Sequence, residues 1–219
     1  VIEGPDGVGK GTTIEHLLPR IAAATDREPV HVREPGGTPA GEKVRALLLD
    51  AGIELDPVAQ LHLFSAARRQ LLADVVAPAL ADGRVVVADR FGLSTYAYQG
   101  GALGVPEEMI DDASRIAVGD AWPDVTVVLT LDPGPWRERL KGRGQDGAGD
   151  RYEEDETLEA ALASYLDLAE RLPHTTAVSA AGDPEAVADR VFDEAVAPVL
   201  RRRGLFARPD RVAPSRRSA

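Results

Sequence analysis

The chain has 219 residues, 44% hydrophobic and 28% charged, enough apolar material for one packed domain and too much for a disordered chain. Its net charge of −11 argues against a general nucleic-acid binder, whose affinity rests on cations set against phosphates. The absence of cysteine rules out disulfides, thiolate metal sites and cysteine nucleophiles and fits a reducing, cytoplasmic setting; no apolar run is long enough to span a membrane.

Residues 1–3 read as a strand already under way, so a few residues are expected before Val1. The stretch GPDGVGKGTT, residues 4–13, then has the form of a phosphate-cradling loop. Gly4, Gly7 and Gly9 let the backbone turn its N–H groups inward around Asp6 and Val8, and Lys10 supplies a mobile positive charge. A helix over 10–24 adds its positive end. The common pattern G-x-x-x-x-G-K-[ST] wants a hydroxyl after the lysine, but Gly11 stands there, leaving Thr12 and Thr13 to offer hydroxyls to a magnesium ion that keeps several waters.

A strand over 29–33 leads into REPGGTPAGEKVR, residues 33–45, and helices are predicted over 40–50 and 57–81. The second carries LHLFSAARRQ, where Leu61, Phe64 and Arg68 share one face, so Phe64 reads equally as core. After a strand over 84–88 comes ADRFGLSTYAYQGG, residues 88–101, which sets Asp89 and Arg90 at the carboxyl edge of a sheet, where ligands bind in this fold class. A helix over 107–118, a strand over 125–131 and a helix over 135–143 follow. GRGQDGAGD, residues 142–150, is a glycine-rich polar loop; a helix over 155–172 opens on the acids Glu153, Glu154, Asp155 and Glu156, which complement its dipole. The last strand is expected over 175–178 and the last helix over 184–200. Residues 201–219 carry seven arginines against one acid, Asp210, a basic appendage expected to be disordered. Alternating strands and helices point to a single doubly wound α/β domain over residues 1–200, with helices on both faces of a parallel sheet.

Taken together, the phosphate loop, REPGG, LHLFSAARRQ and ADRFGLSTYAYQGG resemble thymidylate kinases, in unbroken order from Val1 to about Leu200; GKGT is also the form of this loop in adenylate kinases. The resemblance implies the P-loop nucleoside monophosphate kinase fold, a five-stranded parallel sheet in the order 2-3-1-4-5 with a lid over about 139–155. It implies in-line transfer of the γ-phosphoryl group of ATP to dTMP with Mg²⁺, and a homodimer. By the same resemblance Asp6 lies near the acceptor sugar and phosphate, Arg45 and Arg90 hold the acceptor phosphate, and Glu34 borders the acceptor. Phe64 stacks on the base, Arg68 reaches its O4, and Ser94, Thr95, Tyr98 and Gln99 line base and sugar. Asp89 and Thr12 order the magnesium, largely through water. The phosphate loop lacks an arginine, so Arg139, Arg143 and Arg151 on the lid, with Lys141, join Lys10 and Arg90 in neutralising the transferred group. Two readings stay open beside this one: a kinase for dUMP or a modified pyrimidine nucleotide, and a nucleotide-binding paralogue without turnover.

Overall fold

Five apolar runs form one parallel sheet: β1 (Ile2–Glu3), β2 (Val30–Arg33), β3 (Val86–Asp89), β4 (Thr126–Thr130) and β5 (Thr175–Ser179), in the order β2-β3-β1-β4-β5. The computed structural model describes residues 1–142 and 155–207. The central β1 is only two residues long, with Ile2 opposite Asp89 on one side and Val127 on the other. β4 is buried along four of its five residues, as a strand covered on both faces must be.

The crossovers are helical: α1 (Lys10–Thr25), α2 (Pro39–Leu49), α3 (Pro57–Leu71), α4 (Ala77–Ala81), α5 (Gly92–Thr95), α6 (Glu107–Val118), α7 (Pro133–Gly142), α8 (Asp155–Arg171), α9 (Pro184–Val191) and α10 (Ala197–Arg203). Wide π turns at Leu72–Val76 and Phe192–Val196 join α3 to α4 and α9 to α10. Each ends two residues before a proline, Pro78 or Pro198, whose missing N–H interrupts the regular ladder. A third wide turn, Tyr96–Ala102, continues α5, so the signature after β3 is helical, which its glycines conceal from the sequence. Gly101 is needed there because a Cβ would lie 2.5 Å from the Ser164 Cβ of α8.

One apolar layer packs β1, β4 and β5 against α1, α8 and α9 through Ile14, Leu17, Val128, Leu158, Tyr165 and Val191. A second, on the other face, joins Val32, Leu71, Leu72, Phe91 and Val118. Thr38, Asp56 and Asp183 cap α2, α3 and α9 with side-chain oxygens. By contrast α1 starts on Gly9, with no side-chain cap and no acid in its first turn.

The last helix runs past Leu200 to Arg203, and the Ala207 N–H donates to the Ala24 carbonyl at 2.8 Å. Lid positions Arg143, Asp150, Arg151, Glu153 and Glu154, and tail residues 208–219, lie outside the described residues. No helix among the described residues is long and apolar enough to cross a membrane.

Candidate active site

The loop from β1 to α1 closes around Lys10. Its Nζ donates to the carbonyls of Gly4 and Pro5, each at 3.0 Å, and stands 3.6 Å from Asp6 Oδ1. Burial, and then the neighbouring Arg90 charge, lower its pKa to about 8, so the free site holds its lysine ready to gain from an anion. Gly4 has φ of 134°, and a Cβ there would sit 2.7 Å from the Leu129 carbonyl oxygen of β4; only glycine lets the loop leave the sheet this way. Gly11 differs, since a Cβ on it would meet nothing within 4 Å.

From α7, Trp136 Nε1 donates to the Asp6 carbonyl at 2.7 Å. One turn on, Arg139 donates to the Val8 carbonyl at 3.1 Å and to Ala180 of the loop after β5 at 3.2 Å. The result is a cavity of about 620 Å³ bounded by residues 6–13, Asp89, Arg90, Arg139 and Gly182. Thr12 is exposed at its mouth and Thr13 buried in its floor. Asp89 Oδ1 is buried and has no hydrogen-bond partner, which is expensive for a carboxylate unless a donor or cation arrives.

At the end of β3 the chain turns sharply, with Arg90 at φ 69°, a left-handed conformation that a long side chain rarely adopts. Its Nη2 donates to Asp6 Oδ1 at 2.8 Å; its Nη1 donates to Ser94 Oγ at 3.2 Å and to the Tyr165 hydroxyl at 3.0 Å. The guanidinium also lies 5.3 Å from the centre of the Tyr98 ring.

A second cavity of about 100 Å³ opens beside the first, lined by Pro35, Leu49, Phe64, Ser94, Thr95, Tyr98 and Gln99. Asp6, Glu34, Arg45 and Arg90 line both cavities, so the wall between them is built of charged groups. Arg45 donates to the Pro35 carbonyl at 2.9 Å, and Gln99 Nε2 to Gln60 Oε1 at 3.3 Å.

Beneath the smaller cavity Arg68 is 1% exposed and paired with Glu34, 4% exposed, through an Nε to Oε2 bond of 2.7 Å. Its Nη2 donates to the Phe91 carbonyl and to Thr95 Oγ1, at 3.1 and 3.0 Å. Arg68 Nη1 and Glu34 Oε1 are both buried with no partner. Burial raises the Glu34 pKa to about 7, with Arg68 working against it. One donor and one acceptor of this buried pair thus remain unsatisfied among the described residues.

Every candidate residue of the described region is therefore gathered around two adjoining cavities; Arg143 and Arg151 are the exceptions, lying outside that region. Arg68 stands behind the smaller cavity's wall, bonded to its Glu34 and Thr95. Sequence reasoning missed Glu3, Trp136 and Tyr165. Glu3 is completely buried at the end of β1 and accepts from the N–H groups of Phe91 and Ser94 at 2.7 and 3.1 Å. A charged residue ending a buried central strand, directly before the phosphate loop, was the available signal; Tyr165 in a helical pattern offered none.

Two cavities meeting at the carboxyl ends of β1 and β3, one walled by a phosphate loop, make a site for two phosphorylated ligands set end to end. A sequence model of the thymidylate kinase family matches residues 2–191. The thymidylate kinase of Cereibacter sphaeroides is 42% identical over 207 residues, covering 91% of this chain and 94% of that protein. That of Photobacterium profundum is 38% identical over 189 residues, covering 85% and 90%. The crystal structure of thymidylate kinase from Ehrlichia chaffeensis superposes with a TM-score of 0.68 at 27% identity, covering 88% of this chain and 95% of that one. With the expected strand order and both cavities in place, this chain belongs to the thymidylate kinase family.

Proposed function

We propose that the protein transfers the γ-phosphoryl group of ATP to dTMP, giving ADP and dTDP, and so serves nucleotide biosynthesis. The observation that carries this reading is the shared charged wall: Arg45, Arg90 and Asp6 border both cavities, and Lys10 lies 3.6 Å from Asp6. ATP phosphates occupy the larger cavity, against the loop N–H groups, Lys10 and Arg139. The dTMP phosphate meets Arg45 and Arg90, and its base enters the smaller cavity between Phe64 and the Arg68 side. No general base is needed, since the acceptor phosphate is itself the nucleophile; catalysis is alignment and neutralisation of charge.

Asp6 has a particular part in this reading. In the free protein its carboxylate bridges Lys10 and Arg90, the two cations that the two phosphates need. Arriving phosphates compete with it for both, and it turns to the acceptor. Asp89, whose Oδ1 is buried without a partner, and the Thr12 hydroxyl are the groups that would hold a magnesium ion, which would supply charge neutralisation on the ATP phosphates. Arg143 and Arg151 are assigned to the transferred group by resemblance alone.

The homodimer belongs to the proposal as well. Ile116, 76% exposed, and Met109 on α6 form with Leu61 and Ala66 of α3 an apolar groove suited to a second copy. Sedimentation of the wild type and Ile116→Asp tests this; a monomeric wild type would refute it.

The deciding assay is ADP release from MgATP across a panel of nucleoside monophosphates. Turnover is expected with dTMP foremost, dUMP near it, and dCMP and purine nucleotides far behind. An acceptor preference for dCMP or a purine nucleotide would sink the assignment.

A further inference from the structure

Arg90 is held on two sides, and only one of them is a carboxylate in direct contact. Its Nη1 faces two hydroxyl oxygens, Ser94 Oγ at 3.2 Å and Tyr165 Oη at 3.0 Å. Each of these hydroxyls also reaches Glu3 Oε2, Ser94 at 2.6 Å and Tyr165 at 2.9 Å. A hydroxyl has one proton to give, and a carboxylate can only accept. The two hydroxyls also lie 2.8 Å from each other, so at least one proton goes to Glu3 and the second to Glu3 or to the neighbouring hydroxyl, while both oxygens keep a lone pair for Arg90. The other oxygen of Glu3 is fixed by the Phe91 and Ser94 N–H groups, at 2.7 and 3.1 Å, so the carboxylate itself cannot rotate. Burial, and then the Glu3 charge, hold the Tyr165 phenol well above its usual range, so it remains a donor throughout any working pH. Glu3 and Tyr165 are fully buried, and neither lines either cavity.

We infer that Glu3 and Tyr165 are positioning residues for the acceptor-phosphate arginine: a buried carboxylate, acting through the hydroxyls of Tyr165 and Ser94, fixes the Arg90 guanidinium. The inference rests on Arg90 holding the acceptor phosphate. It explains why a long side chain is kept in a left-handed backbone conformation at φ 69°. When a phosphate competes with Asp6 for Nη2, the Nη1 side stays anchored, so the guanidinium keeps its plane as its partner changes. That economy of reorganisation is what a charge-stabilising site requires.

The test separates phosphate recognition from the rest of the pocket. Binding of dTMP and of thymidine is measured by calorimetry for wild type, Tyr165→Phe, Glu3→Gln and Arg90→Ala, each alone, and for Tyr165→Phe combined with Arg90→Ala. Tyr165→Phe keeps the ring that packs among Ile14, Leu158 and Leu168 and removes only the hydroxyl. It should weaken dTMP about tenfold, the scale of one charge-assisted hydrogen bond, and leave thymidine within twofold. Glu3→Gln should show the same selectivity with a larger loss. In the Arg90→Ala background Tyr165→Phe should have no further effect. In turnover, the KM for dTMP should rise while that for ATP stays put. A purely structural role would weaken dTMP and thymidine alike, and that result overturns the inference. So does unchanged dTMP affinity, or a Tyr165→Phe effect that persists without Arg90. A wild type that binds dTMP selectively but does not phosphorylate it would refute the kinase reading and leave the positioning role standing, because binding alone reads it.

Discussion

Replacing Arg68 by methionine probes the fold and the choice of base together, and the structure sets the two effects apart. Glu34 is 4% exposed and takes a side-chain hydrogen bond from Arg68 at 2.7 Å. Removing the guanidinium takes away the charge that holds the Glu34 pKa down to about 7, so the buried carboxyl loses its partner and takes up a proton at neutral pH; the loss of about 3–5 kcal/mol is the limit for the ionised form. For a chain of this size that limit lowers the melting temperature by roughly 10 °C. Adding Glu34→Gln removes the stranded ionisable group, so the double variant should recover part of the stability, since apolar or neutral replacements of buried ion pairs are often tolerated. Specificity should not recover. The unpaired Nη1 is a donor suited to the O4 carbonyl of thymine and unsuited to the amino group of cytosine. A dry site that leaves such groups unmatched discriminates by on the order of 10⁴. The assays are thermal unfolding and kcat/KM for dTMP and dCMP on wild type, Arg68→Met and the double variant. Unchanged stability in Arg68→Met would refute the energetics of the pair. A double variant that kept the full preference for dTMP would refute the assignment of Arg68 to O4.

Two further expectations concern the phosphate loop. With the Lys10 pKa near 8 in the free protein, kcat/KM for ATP should fall as pH rises through about 8, and a flat profile up to pH 9.5 would refute the assignment. Stability moves the other way: below pH 8 folded and unfolded chains are both protonated at Lys10, and between about 8 and 10.5 the unfolded chain binds more protons. Wild type should therefore gain about 3 kcal/mol relative to Lys10→Met across that window, measured by denaturant unfolding at each pH. The loop glycines should divide sharply: Gly4→Ala should cost a few kcal/mol through its contact with the Leu129 carbonyl, whereas Gly11→Ser should leave the free protein's stability within about 0.5 kcal/mol. Equal losses in thermal unfolding would refute the distinction.

The strands were legible because a parallel strand covered on both faces reads as an unbroken apolar run, as TVVLT of β4 does. What hid α5 and the wide turn after it was the reason for its glycines. Gly92 lies under the Trp122 ring, where a Cβ would come within 2.8 Å, and Gly101 lies under Ser164. Those contacts join distant parts of the chain and leave no local period, so small residues needed for close approach looked like breakers. The same distance hid Glu3, whose partner Tyr165 stands 162 residues along the chain. The placement of Lys10, Arg90 and Phe64 at the cavities was legible because their motifs are contiguous; Arg68 and Glu34 were read as two separate residues and not as one buried unit.

The bare beginning of α1 has a consequence for the life of the protein. Three other helices carry their own oxygen at the start, while α1 opens on Gly9 and leaves its first N–H groups to whatever anion arrives. Nucleotide is then a removable part of the architecture, and occupancy at a hundred times its dissociation constant adds about 2.7 kcal/mol to the folded state. A chain emptied of nucleotide would thus be in its least protected form and more open to proteases than one with its phosphate loop filled.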